Sequence, residues 1–158
     1  MTQLRGTTPE ERLEELGLTL PEPPSAEAAY KPYNVAGQLI FTAGQLPVVD
    51  GRLPATGKVG AEVTLAEAEK LARQAAVNVL AQGRAAAGDL ARLRVVKLTV
   101  FVASTPDFTD QHLVANGASE LLAAVLGEDG RHARSAVGVP VLPLDSPVEV
   151  EAVLEVRG

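Results

Sequence analysis

The chain has 158 residues, with 14 Lys plus Arg against 20 Asp plus Glu, a formal charge of −6, 3% aromatic residues, no tryptophan and no cysteine. That length suits one domain, which should bury about two-thirds of the surface its unfolded chain exposes. Without cysteine there is no disulfide framework, thiolate zinc site or cysteine nucleophile, and the acidic, aromatic-poor composition argues against a general nucleic-acid binder. Only two histidines occur, His112 and His132, so a histidine-rich metal site is not expected. No stretch reaches the roughly 20 apolar residues needed to cross a bilayer, and residues 1–12 lack a signal-peptide core. The expectation is a soluble, cytoplasmic protein.

In chain order, Thr8-Pro9-Glu10-Glu11 offers an N-cap, a proline at the first helical position and acids in the first turn. A short helix ending near Gly17 follows, with Leu13, Leu16 and Leu20 as one apolar stripe. The run Pro21-Glu22-Pro23-Pro24 then stops regular structure. Residues 1–29 thus read as an arm with a proline-rich linker, and 30–158 as the folded domain. Asn34-Val35-Ala36 and Leu39-Ile40-Phe41-Thr42-Ala43, split by Gly37-Gln38, read as a hairpin. Thr64-Leu65-Ala66-Glu67 has capping-box spacing, and helical periodicity continues to about Gln82. Residues 94–102 are rich in β-branched side chains and read as a strand. Thr105-Pro106-Asp107 opens a second long helix to about Leu126, closed by Gly127. Two more strands, 134–139 and 148–156, complete an order of ββ-α-β-α-ββ. That order predicts an α+β sandwich with two helices on one face of the sheet.

Alternation assigns the faces. Val148, Val150, Ala152, Leu154 and Val156 should meet the helices, as should Val96, Leu98, Val100 and Val102, and Ser135, Val137 and Val139. The opposite face then carries Arg134, Lys97, Thr99, Phe101, Glu149 and Glu151. A bare face with opposed charges and an exposed Phe predicts a contact between subunits, with the polar site inside it.

Familiar signatures are missing. Gly51 to Lys58 has five residues between its glycines instead of four, and Val59 follows where a P-loop needs a hydroxyl. No G-x-S-x-G elbow occurs. His112 and His132 lack local metal spacing and read as surface or capping residues. Arg134 stands out because a guanidinium stays charged and needs an anion. Glu149 or Glu151 would supply it as a structural ion pair. Alternatively, two carboxylates in one dry pocket would repel and raise one pKa toward the range useful for proton transfer.

Taken in order, Pro32-Tyr33, Leu39-Ile40-Phe41-Thr42-Ala43-Gly44-Gln45-Leu46-Pro47, Val95-Val96-Lys97-Leu98-Thr99-Val100-Phe101-Val102, Asp107-Phe108, Ala133-Arg134-Ser135-Ala136-Val137 and Val148-Glu149-Val150-Glu151-Ala152 resemble the RidA family. That family is also called YjgF or L-PSP endoribonuclease, and the arm and the stretch between Phe108 and Asn116 resemble a divergent subgroup of it. The resemblance implies a chorismate-mutase-like fold with a mixed sheet, a homotrimer with pockets between subunits, and no metal or organic cofactor. It implies hydrolysis of reactive enamines or imines to 2-keto acids and ammonia. The family's carboxylate-binding arginine falls on Arg134, its water-positioning glutamate on Glu149, its pocket tyrosine on Tyr33 and its pocket asparagine on Asn116. Gly44 and Ala136 would line the same cleft. Ala43 and Ala136 stand where the best-known members have serine and cysteine, and the lost hydroxyl bears on activity or substrate choice.

Three functions follow from that resemblance. The first is a deaminase in which Arg134 and Glu149 are catalytic and Arg134, Tyr33, Gly44, Asn116 and Ala136 bind substrate. The second is a non-catalytic trimer that binds a small carboxylate metabolite, which Ala43 favours. The third is a ribonuclease, against which the acidic balance counts. No membrane partner is expected.

Overall fold

The computed structural model describes residues 3–23 and 28–158; Pro24, the last proline of the linker run, lies outside them. Five strands form one mixed sheet: β1 (Tyr33–Ala36), β2 (Leu39–Thr42), β3 (Leu93–Ala103), β4 (Ala133–Val139) and β5 (Val148–Val156), in the order β1-β2-β5-β3-β4. All pairs are antiparallel except β3 with β4. The helices are α1 (Pro9–Glu15), α2 (Leu65–Ala87) and α3 (Gln111–Leu126). The short arm helix and the two long helices are all found as expected: α2 and α3 cover one sheet face, and α1 packs on α3. None of the described helices is long and apolar enough to cross a membrane.

Capping sets the helix starts. Thr8 and Glu11 form a reciprocal capping box on α1, and Thr64 and Glu67 do the same on α2. The first helix is tied down: Leu13 and Leu20 are buried in the main core, and Arg12 donates from Nη1 to the Val125 carbonyl at the end of α3 (2.9 Å). The second runs beyond its expected end at Gln82 to Ala87, where Gly88 closes it at φ 82°. Gly83 is no terminator, because it lies where a Cβ would press on Leu93 and Leu154, and it lets the helix sit close on the sheet. The third begins at Gln111, later than expected: Thr105 Oγ1 donates to Asp107 (2.8 Å) and holds a turn instead. Gly117 in α3 faces the Glu69 carbonyl so closely that a Cβ would overlap it. With Ala68, Ala72, Ala115 and Ala118 buried alongside, small residues bring α2 and α3 together.

Face assignment holds for β5, where Val148, Val150, Ala152 and Leu154 are buried. It fails at two places. A register shift between Val95 and Lys97 puts Val95, not Val96, into the core. In β4 the expected faces are exchanged: parallel pairing aligns Arg134 with Leu98 and Ala136 with Val100, both core-facing. Arg134, Ala136 and Gly138 therefore face the helices, and Ser135 and Val137 lie on the bare face, where Ser135 accepts from Lys97 Nζ (3.0 Å). The alternation misled because the bare face has its own apolar residues: Val137 is 42% exposed and Phe41 44%.

Candidate functional site

Arg134 sits on the sheet's edge strand and reaches across to the first two turns of α3. Its Nη1 donates to Asn116 Oδ1 (2.9 Å) and Ser119 Oγ (3.1 Å), and its Nη2 to the His112 carbonyl (3.2 Å). The acceptors recur at i, i+4 and i+7, one stripe of the helix. A guanidinium has five N–H groups. Three are committed here, leaving Nε–H and one Nη2–H, the side that a carboxylate takes as a two-pronged fork. Among the described residues the ion pairs are Arg94–Glu155, Arg131–Glu128 and Arg157–Asp129, so Arg134 has no carboxylate partner. The expected pairing with Glu149 or Glu151 does not form, because the register places those carboxylates on the opposite face, two strands away.

Glu149 is held by the chain that follows β2. Gln45 exchanges both backbone hydrogen bonds with Val150 (2.7 and 3.0 Å), and Asn78 of α2 donates to the carbonyls of Leu46 and Val48 (2.9 and 3.1 Å). This fixes Gly44 against the Glu149 carboxylate so tightly that a Cβ at position 44 would overlap it. Glycine is needed there for close approach rather than for an unusual φ. Burial pushes the Glu149 pKa above the usual carboxylate range, and neighbouring Glu151 adds to the rise. The expectation that one of these paired acids is raised therefore falls on Glu149.

The remaining expected residues divide between these two places. Asn116 is bonded to Arg134, and Ala136 shares the helix-side face of β4 with it. Tyr33, in contrast, begins β1 at the far edge of the sheet, paired with Thr42. One chain therefore brings Arg134, Asn116 and Ala136 together, and Gly44 with Glu149, but not the two groups with each other.

Two residues that sequence reading set aside or passed over belong beside Arg134. His132, expected as a surface or capping residue, is half-buried, with Nε2 2.9 Å from Ser119 Oγ and Nδ1 2.7 Å from the Gly130 carbonyl. Ser119 shares the α3 stripe with His112 and Asn116, and that polar stripe on an otherwise apolar helix was the available signal. Ser119, His132 and Arg134 line a recess of about 300 Å³ with Glu120, Gly130 and Arg131.

Residues 10–156 match the family model described as "YjgF/chorismate_mutase-like, putative endoribonuclease". The chain belongs to the YjgF/RidA family and has its chorismate-mutase-like fold. Among its relatives, Protein TCP17 of Trypanosoma cruzi is 47% identical over 147 residues, 92% of each chain. The crystal structure of Agrobacterium tumefaciens protein Atu1372, of unknown function, is 50% identical with a TM-score of 0.89, covering 94% of this chain and 92% of that one. The structure of Escherichia coli TdcF with bound serine is 28% identical with a TM-score of 0.63, covering 87% of this chain and 94% of that one.

Proposed function

We propose that the protein hydrolyses reactive enamines or imines to 2-keto acids and ammonia, at pockets completed between subunits of a homotrimer. The observation that carries this reading is the Arg134 guanidinium, oriented by three neutral acceptors, without an ion-pair partner among the described residues, and with its two-pronged side unused. A carboxylate on the substrate satisfies it. The serine-bound neighbour supports a small carboxylate-bearing ligand. The separation of Arg134 from Glu149 and Tyr33 within one chain supports completion by a neighbouring copy, and the bare sheet face with exposed Phe41 and Val137 supplies apolar surface for the contact.

Arg134 binds the substrate carboxylate and Asn116 holds the guanidinium. A water attacks the iminium carbon while Glu149 takes one of its protons, which its raised pKa favours. Glu149 then returns that proton to the amine nitrogen. As the C–N bond breaks and the carbonyl forms, the hydroxyl proton leaves with ammonia as ammonium. Tyr33 closes the pocket, and the backbone around Gly44 lines it. No metal or organic cofactor enters this route, since the carbon is already electrophilic and positioning supplies most of the acceleration.

The test follows imines generated in situ by an amino-acid oxidase, with semicarbazide competing for them. The purified protein should accelerate 2-keto acid release, and Arg134→Ala should lower that acceleration about 100-fold, as expected for losing a charge-assisted bidentate contact. No acceleration across small and bulky imines, with assembly intact, would overturn it.

A non-catalytic binder of small carboxylates is the second reading, favoured by Ala43, which precedes Gly44 and lacks the hydroxyl that the best-known family members carry there. It predicts Arg134-dependent binding without turnover. Ribonuclease activity stands third, since the net charge of −6 opposes phosphate binding.

A further inference from the structure

The guanidinium of Arg134 and the imidazole of His132 are joined through the Ser119 oxygen, and the hydrogen bonds along that path run in one direction. The Gly130 carbonyl can only accept, so His132 Nδ1, 2.7 Å away, carries the ring proton. In the neutral ring Nε2 is then bare and accepts. Ser119 Oγ, 2.9 Å from it, therefore donates its hydrogen there. An arginine N–H only donates, so the Ser119 lone pairs receive Arg134 Nη1 at 3.1 Å. The chain runs from Arg134 to Ser119 to His132 to the Gly130 backbone. Burial, with the Arg134 charge adding to it, holds the imidazole below its usual pKa and so favours the neutral ring, although the Gly130 bond works in the opposite direction. The neighbouring charges do not break the chain: Arg131 leans on Glu128 (4.0 Å), Asp129 pairs with Arg157 (2.9 Å), and Glu120 is exposed at the rim of the recess.

We propose that Ser119 and His132 are positioning residues that hold the Arg134 guanidinium in the orientation that captures a substrate carboxylate. The inference rests on the reading of Arg134 as the carboxylate clamp. A serine hydroxyl alone is a free rotor whose lone pairs can turn away. His132 pins the rotor by taking its hydrogen, so the lone pairs face Nη1 and Nε–H and one Nη2–H stay uncommitted. The relay also ties the guanidinium to the backbone turn that leads into β4.

Pyruvate binding to the full chain, measured by titration calorimetry, tests this with paired variants. His132→Asn keeps an N–H near the Nδ1 position but gives Ser119 no acceptor, whereas His132→Gln can place an oxygen near the Nε2 position. Ser119→Ala removes the relay, and Ser119→Thr keeps the hydroxyl. Ser119→Ala and His132→Asn should each weaken pyruvate binding about tenfold, and Ser119→Thr and His132→Gln should stay within about twofold of wild type. In turnover assays the loss should fall on KM with kcat retained. Independently of any variant's folding, nitrogen NMR of the wild-type imidazole should find the Nδ1–H tautomer; the Nε2–H tautomer would reverse the relay and overturn the proposal. Unchanged affinity in Ser119→Ala and His132→Asn, with Arg134→Ala abolishing binding, would overturn the positioning role and leave the clamp standing. Wild-type protein that shows no Arg134-dependent binding would overturn both.

Discussion

The two halves of the candidate site solve opposite electrostatic problems. Around Arg134 the fold supplies three acceptors and, among the described residues, no ion-pair partner, so a permanent cation is oriented and left to find its anion elsewhere. Around Glu149 the fold supplies burial, a like charge and a glycine backbone in contact, so an ionisable group is made easier to protonate. The first arrangement suits binding, because a guanidinium does not change charge. The second suits proton transfer, because a carboxylate with a raised pKa is a stronger base. An ionisable group of each sign, half-buried and without an ion-pair partner among the described residues, is what a shared site would look like from one side.

Breaking the halves separately should separate binding from chemistry. Glu149→Gln should lower turnover by about 10²–10⁴-fold, the usual range for a lost general base, while pyruvate affinity stays within about threefold of wild type. Arg134→Ala should lose both. Equal loss of binding in the two variants would erase the distinction.

Next in size are two glycines, each guarding one half. Gly117→Ala pushes α3 from the Glu69 carbonyl and with it the acceptors of Arg134; Gly44→Ala strikes the Glu149 carboxylate. Each should cost about 1–3 kcal/mol by overpacking, measured in urea. Pyruvate affinity should suffer in Gly117→Ala and turnover in Gly44→Ala.

The halves should also respond oppositely to pH. The raised pKa of Glu149 means its contribution to stability is fully present below about 4.5 and is lost as pH rises through the folded-state value. The lowered pKa of His132 means its contribution is present above about 6.5 and is lost as pH falls through its folded-state value. Urea midpoints from pH 4 to 8 should lose the first dependence in Glu149→Gln and the second in His132→Gln. Thr64→Ala, at the α2 cap and bonded to neither half, should cost about 1 kcal/mol and leave binding and pH dependence unchanged.

Local chemistry made much of this fold legible. The Thr8 and Thr64 caps, the Gly37-Gln38 hairpin and the alternation of β5 all depend on neighbours in sequence, and each is found where periodicity and turn residues place it. What failed depends on partners far along the chain. The face of β4 is dictated by its register on β3, and its own valines point to a surface that is bare in a single chain. Placing Arg134 and Glu149 on one face followed from that error. The run of α2 past its expected end at Gln82 depends on the sheet against which Gly83 packs. In the site, the charge of Arg134 and the raised pKa of one of the two acids were readable from residue type, whereas the Ser119–His132 relay needed α3 folded against β4. The spacing of the polar side chains of Asn116 and Ser119 carried part of that signal.

The claim that the site is shared between copies has a direct test. Arg134→Ala and Glu149→Gln subunits, each inactive alone, are mixed in equal amounts, unfolded together and allowed to reassemble. If Arg134 of one subunit works with Glu149 of its neighbour, random assembly restores about a quarter of the sites and about a quarter of wild-type activity. Activity that stays at the level of the separate variants, in a mixture shown to have exchanged subunits, would contradict the account.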